Sequence, residues 1–180
     1  MMKKVDVKDN FLDDSKFTEI LDVFLDYSFP WYFGDVVDPE DKLPYTSDLD
    51  NIQMYHMLYS YDKPQSPLFL KMNHILEKLK VIDKFISLYR LKVNLNQRTS
   101  EIIEHGFHND VKFKCRTGIL YLNSNDGYTM FEDGTKIESI KNRFVSFDSD
   151  LRHSGTTCTN QKRRMAVSYT HLTLPTKRIV

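Results

Sequence analysis

Cysteine is scarce: the 180 residues contain two, Cys115 and Cys158, far apart and without a Cys-x-x-Cys spacing. That argues against a thiolate zinc site and fits a reducing compartment, while leaving a single disulfide open. Excess charge is missing too. The 25 basic residues face 25 acidic ones, so no cationic composition advertises nucleic acid or membrane, although a local basic patch stays open. No apolar run approaches the roughly 20 residues of a membrane span. The opening Met1-Met2-Lys3-Lys4-Val5-Asp6-Val7 has no apolar signal core. Internal repeats and low-complexity linkers are absent as well. The expectation is one cytoplasmic domain, with no membrane and no strong nucleic-acid signal.

What is there is apolar and aromatic. Hydrophobic residues make up 41% and aromatics 13%, enough for a sizeable core rather than disorder. After Asp13-Asp14-Ser15, Phe17, Ile20, Leu21 and Phe24 follow the stripe of an amphipathic helix. Ser66-Pro67 opens a second helix on Leu68, Met72, Ile75 and Leu79. Between them, Phe29 to Gly34 and the Asp/Pro-rich Asp35 to Asp50 read as an irregular, aromatic-anchored connection. From Phe85 the period falls to two, with Phe85, Ser87, Tyr89, Leu91, Val93 and Leu95 on one face. Further strands are expected at 112–123, 128–131, 135–140 and 142–147, and one from about Arg163. Asn125-Asp126-Gly127 and Asp133-Gly134 are the hairpin signals. This pattern predicts a mainly β sandwich or barrel with helices packed outside.

One constellation carries chemistry. His108-Asn109-Asp110, on an extended segment, points both functional side chains to one face. With His153 it offers two imidazoles and one carboxylate, the facial set that holds non-haem Fe(II) and leaves positions open. Arg163-Arg164 follows, and an arginine supplies a permanent, fork-shaped cation for a carboxylate co-substrate. Alone, His-x-Asp is a weak signal, because Asp110 can equally cap a turn and His108 can satisfy a backbone carbonyl. Order and context raise it. His56 and His74 lack partners at useful spacing and read as surface or satisfied helix residues. His105 is out of phase with Asp110.

In these residues the chain resembles the Fe(II)/2-oxoglutarate-dependent oxygenases, in particular the prolyl 4-hydroxylase-like branch and uncharacterised marine phage members. The resemblance runs from about Phe11 to Ala166. It rests on His108-Asn109-Asp110, Thr117 to Asn123, Gly127-Tyr128-Thr129-Met130-Phe131, His153-Ser154-Gly155 and Arg164-Met165-Ala166. It implies a double-stranded β-helix, a jelly-roll or cupin-like core with N-terminal helices. It implies His108, Asp110 and His153 as iron ligands and catalytic centre, and Arg164, favoured over Arg163, as the anchor of the distal carboxylate of 2-oxoglutarate. Tyr121 and, more weakly, Thr129 would donate to the same carboxylate. The implied reaction hydroxylates a substrate C–H bond with release of succinate and CO2, with ascorbate as an accessory. The substrate stays open between a protein side chain, a nucleobase and a small molecule. Tyr128 stands where the prolyl hydroxylase-like enzymes commonly carry a second glycine, so their specificity is not copied. The alternatives are a non-catalytic binding module on the same fold and a cupin-like protein using another metal without a 2-oxo acid.

Val167-Ser168-Tyr169-Thr170-His171-Leu172 resembles one reading frame of the transposon end used in sequencing libraries. Residues 167–180 are therefore expected to be an adaptor-derived tail on a domain spanning 1–166. On that expectation His171 has no role and a final native strand is missing.

Overall fold

The computed structural model describes residues 5–35, 52–82 and 85–173. Helix α1 (Asp14–Leu25) forms on the expected stripe, with Phe17, Ile20 and Phe24 buried. Its N-cap, Asp13, makes no capping bond and pairs instead with Lys16 at 3.1 Å. The second helical segment differs at its start. Ser66 Oγ accepts from the Leu68 N–H at 3.2 Å, and Pro67 opens a 3-10 stretch, Pro67–Met72, that continues as α2 (Asn73–Ile82). The aromatic connection is anchored as expected: Phe29 is buried and packs edge-on against Phe24 at 5.3 Å between centroids.

Eleven strands are described: β1 (Asp6–Lys8), β2 (Tyr32–Asp35), β3 (Ile52–Ser60), β4 (Lys63–Pro64), β5 (Phe85–Gln97), β6 (Arg116–Tyr121), β7 (Tyr128–Phe131), β8 (Lys136–Glu138), β9 (Phe144–Asp148), β10 (His153–Gly155) and β11 (Arg163–Thr173). The larger sheet runs β1-β9-β6-β11-β5-β3-β2, with β4 on β3, and the smaller runs β10-β7-β8. Period-two alternation sorts each central strand between two cores. Leu91, Val93 and Leu95 of β5, Leu120 of β6, and Val167 and Tyr169 of β11 pack under both helices. Their neighbours Ile119, Tyr121 and Ala166 join Val145, Phe147 and Phe131 between the sheets. The result is a double-stranded β-helix with its helices on the outer face of the larger sheet.

Four expectations are corrected. Tyr32 to Asp35, read as irregular, form strand β2 against β3. The rest of that connection, 36–51, lies outside the described residues. Strand β3 was not anticipated, because Ile52 to Ser60 carries apolar residues on both faces. Its His56 is buried rather than superficial and bonds the Pro30 carbonyl at 2.8 Å, whereas His74 is a helix-surface residue 2.9 Å from Glu19. The segment Asn125-Asp126-Gly127 closes no hairpin; it carries the chain from β6 in one sheet to β7 in the other. Asp133-Gly134 does close the β7–β8 hairpin, with Gly134 at φ 85°. Last, the alternation of β5 slips. A register shift between Thr170 and His171 leaves Tyr89 as an extra residue, so Leu88 is buried and Tyr89 is 40% exposed.

Residues 167–173, set aside on sequence, extend β11 through the middle of the larger sheet. They pair with both β5 and β6, and Val167, Tyr169, Thr170 and His171 are buried.

Candidate functional site

Between the sheets, two backbone bonds tie His108 to His153: each N–H donates to the other's carbonyl at 3.0 Å. The rings lie side by side, 4.7 Å between centroids. Each Nδ1 bonds a backbone oxygen 3.2 Å away, Gly106 for His108 and Leu151 for His153, which leaves both Nε2 atoms as acceptors. Asp110 stands two residues on, in a bend rather than on the expected strand. Its Oδ1 is 4.0 Å from His108 Nε2, and its Oδ2 is 4.0 Å from His153 Nε2. One donor atom from each of the three residues lies within 4.8 Å of the others.

The electrostatics prepare these groups as ligands. Burial alone would raise the Asp110 carboxyl, but the Arg90 guanidinium, 2.5 Å from Oδ1, and the neighbouring imidazoles hold it well below the usual carboxylate range. Burial pushes His153 down to about 4, so at neutral pH it is an uncharged imidazole. Asp110 Oδ2 is buried and, among the described residues, has no hydrogen-bond partner. An anionic oxygen left so is costly unless a cation meets it. Two imidazole nitrogens and one carboxylate oxygen fit a divalent first-row metal such as Fe(II).

A second anchor lies deeper. Arg164 is buried, while Arg163 is exposed on the opposite face of β11. Arg164 Nε donates to Ser139 Oγ at 2.7 Å and Nη2 donates to Thr129 Oγ1 at 3.1 Å. Tyr121 Oη also donates to Thr129 Oγ1, at 2.7 Å, and the Tyr121 ring lies 5.4 Å from the guanidinium carbon. Burial pushes the Tyr121 phenol up, so it stays a protonated donor. Thr129 accepts twice, which leaves its own hydroxyl hydrogen for a third group. Among the described residues no carboxylate pairs with Arg164, so this buried cation rests on neutral hydroxyls and an aromatic ring. Gly127 makes room for it. A Cβ there would lie 2.4 Å from the Thr157 carbonyl oxygen and 2.7 Å from Arg164 Cδ. Gly127→Ala is accordingly expected to lower the unfolding midpoint and displace Arg164, read by denaturation and by weakened binding of dicarboxylic acids.

Both anchors open into one cavity of ≈ 210 Å³. Sequence reading missed much of its wall, Arg90, Lys92, Asn94 and Asn96 from β5, and with it Ser139, which bonds Arg164; His105 lines the same cavity. The signal was present, since these β5 residues are the polar half of its alternation. His105 is buried, with Nε2 3.3 Å from Asn96 Nδ2, and burial lowers it to about 4. A histidine depressed in the folded state loses its stabilising difference as pH falls, because the unfolded chain takes up protons first. From pH 7 to 5 the metal-free protein should therefore lose roughly 2 kcal/mol for each of His105 and His153. Urea titrations at the two pH values measure it.

No family model and no curated protein matches this chain. Solved structures do resemble it. A prolyl hydroxylase from Trichoplax adhaerens, in complex with a peptide of the hypoxia inducible factor oxygen degradation domain, aligns with TM-score 0.68 and 16% identity, over 95% of this chain and 84% of that one. An oxidoreductase of the 2OG-Fe(II) oxygenase family from Burkholderia pseudomallei gives 0.62 and 11%, over 93% and 84%. The nogalamycin-biosynthesis epimerase SnoN, in complex with Fe3+, alpha ketoglutarate and nogalamycin RO, gives 0.64 and 10%, over 95% and 79%.

Proposed function

We propose that this chain is an Fe(II)- and 2-oxoglutarate-dependent dioxygenase that hydroxylates a C–H bond of its substrate. One observation carries the reading: the orphaned Asp110 Oδ2, flanked by two imidazole acceptors, shares a cavity with the uncompensated Arg164. His108, Asp110 and His153 would hold the metal. Arg164, with the hydroxyls of Thr129 and Tyr121, would hold the distal carboxylate of 2-oxoglutarate, a bidentate match that lysine cannot offer. The bound metal and co-substrate supply the oxidation, releasing succinate and CO2. The chain's residues supply orientation, charge and exclusion of water. Nδ1–H bonds fix both imidazole tautomers. Arg90 occupies one Asp110 oxygen and leaves the other for the metal. Phe131 and Phe147 wall the His153 ring on the buried side.

The test is anaerobic. Fe(II) and 2-oxoglutarate together should give a visible metal-to-ligand charge-transfer band, and Arg164→Ala should weaken it by lowering affinity for the 2-oxo acid. Metal binding without that dependence favours a cupin-like protein; no stoichiometric Fe(II) or Mn(II) binding favours a non-catalytic module. Arg90→Met should weaken Mn(II) binding by about 10–100-fold, the usual cost of losing support around a ligand. Titration calorimetry reads it without turnover.

Ascorbate enters as an accessory reductant for the assay. A phage gene acting in a host cytoplasm rests on sequence resemblance. Both cysteines are free, and among the described residues no helix is long and apolar enough to cross a membrane. Residues 1–166 are taken as the oxygenase domain, and 167–180 as adaptor-derived on the resemblance of Val167 to Leu172.

A further inference from the structure

The polar face of β5 continues past the metal ligands. Arg90, Lys92, Asn94 and Asn96 alternate with Leu91, Val93 and Leu95, so all four face the cavity while the leucines and valine face the helices. Pairing with β11 sets Arg164 beside Asn96 and Ser168 beside Lys92. Lys92 is half-buried. Its Nζ lies 3.4 Å from Gln53 Oε1 and 4.8 Å from the Tyr55 ring centroid. Gln53 is held in that orientation because its Nε2 donates to Asn96 Oδ1 at 2.8 Å. Among the described residues no carboxylate lies within salt-bridge distance of Lys92. Burial, then Arg90, lower its pKa to about 8 against a smaller opposing pull from Asp110, so the ammonium form persists at neutral pH although the nearest carboxylate is already bonded to Arg90.

Charge accounting over the cavity sharpens this. Its wall carries three cations, Arg90, Lys92 and Arg164, against one carboxylate, Asp110. A divalent metal and a 2-oxoglutarate dianion cancel each other and leave that excess unchanged. Arg90 is committed to Asp110, and Arg164 is assigned to the co-substrate. Lys92 is left over. Its rung of the ladder stands four residues from the Asn96–Arg164 rung, roughly 13 Å at about 3.3 Å per residue. One carboxylate of a short diacid cannot serve both.

We infer that Lys92, with Gln53 beside it, forms a second anion subsite and that the substrate is a small organic acid whose carboxylate seats there. A single ammonium, whose amide neighbours Gln53 and Asn94 already spend their N–H donors on Asn96 and Ser168, matches a singly charged carboxylate better than a dianionic phosphate. This inference rests on the dioxygenase reading, which reserves Arg164 for 2-oxoglutarate. A neutral substrate leaves Lys92 with no electrostatic task.

The experiment loads the full chain with Zn(II), a redox-silent metal, and 2-oxoglutarate. It then titrates in propionate, or propionamide as the neutral isostere, following the 15N-labelled Lys92 ammonium by NMR. Propionate should shift that signal saturably and propionamide should not. Affinity for propionate, followed by calorimetry, should fall by about tenfold or more in Lys92→Met and recover in Lys92→Arg, the size of one lost charge-assisted contact. The Fe(II)/2-oxoglutarate charge-transfer band should be the same in all three proteins. Equal binding of propionamide, unchanged propionate affinity in Lys92→Met, or propionate displacing 2-oxoglutarate each overturns the subsite. A missing band in the wild-type protein overturns the dioxygenase reading instead. Propionate titration of the metal-free chain then still scores Lys92 as an anion site.

Discussion

Asp110→Asn should bind no stoichiometric Fe(II) or Mn(II) and release no succinate, although the chain still folds. The substitution keeps the shape of the side chain and a hydrogen-bond acceptor for Arg90, so the bend that carries residue 110 has no steric reason to move. What changes is charge. The metal would lose its one anionic protein ligand and would meet the Arg90 guanidinium, 2.5 Å from Oδ1, with no carboxylate to screen it. Loss of a support around a metal ligand already costs about 10–100-fold in affinity. Loss of the ligand itself, combined with an exposed cation, should exceed the upper end of that range. Calorimetric Mn(II) titration of the wild-type and variant proteins decides the matter, with circular dichroism confirming that both are folded. Wild-type affinity in the variant would mean that the three side chains are neighbours in a packed wall and not metal ligands.

The second large effect concerns the strand that sequence reading discounted. A chain ending at Ala166 should fail to fold cooperatively. It loses seven described residues of β11, which pair on one side with β5 and on the other with β6. Val167 and Tyr169 leave the core, at about 1.5–3 kcal/mol for each large apolar side chain. Leu91, Val93, Ile119 and Leu120 lose their cover, and two ladders lose their hydrogen bonds. The total competes with the whole stability of an ordinary domain, about 5–15 kcal/mol. Denaturant titration should show no sigmoidal transition for the truncated chain. Restoring a strand-forming segment with apolar residues at 167 and 169 should bring the transition back, whatever the other residues are. A truncated chain that unfolds cooperatively would show that β11 is dispensable beyond Ala166.

His108, Asp110 and His153 stand out by residue type and order, Arg164 over Arg163 only by resemblance to a family, and the tertiary structure places all four around one cavity. The route differs from the one imagined, because Asp110 reaches the site from a bend and not along a strand. Strand β5 was legible in extent but not in phase near Tyr89, since a bulge costs one residue and leaves no mark in hydrophobic pattern. Strand β3 was invisible because Tyr55 and His56, on opposite faces, are both substantially covered, which erases the period. Residues 167–173 were excluded on resemblance, yet they hold the central position in the sheet because apolar residues at 167 and 169 suit any buried strand.

By itself the sequence determined composition-level facts and local ones: a folded, charge-balanced, aromatic-rich chain, the stripe of α1, the Gly134 hairpin and the residue types of a candidate metal site. Only the tertiary structure decided that the polar half of β5 faces a cavity instead of water. It also decided that Arg90 braces Asp110 and that Lys92 has no partner carboxylate among the described residues. The reason is that alternation specifies which residues share a face, whereas what that face meets depends on a second sheet assembled from distant parts of the chain.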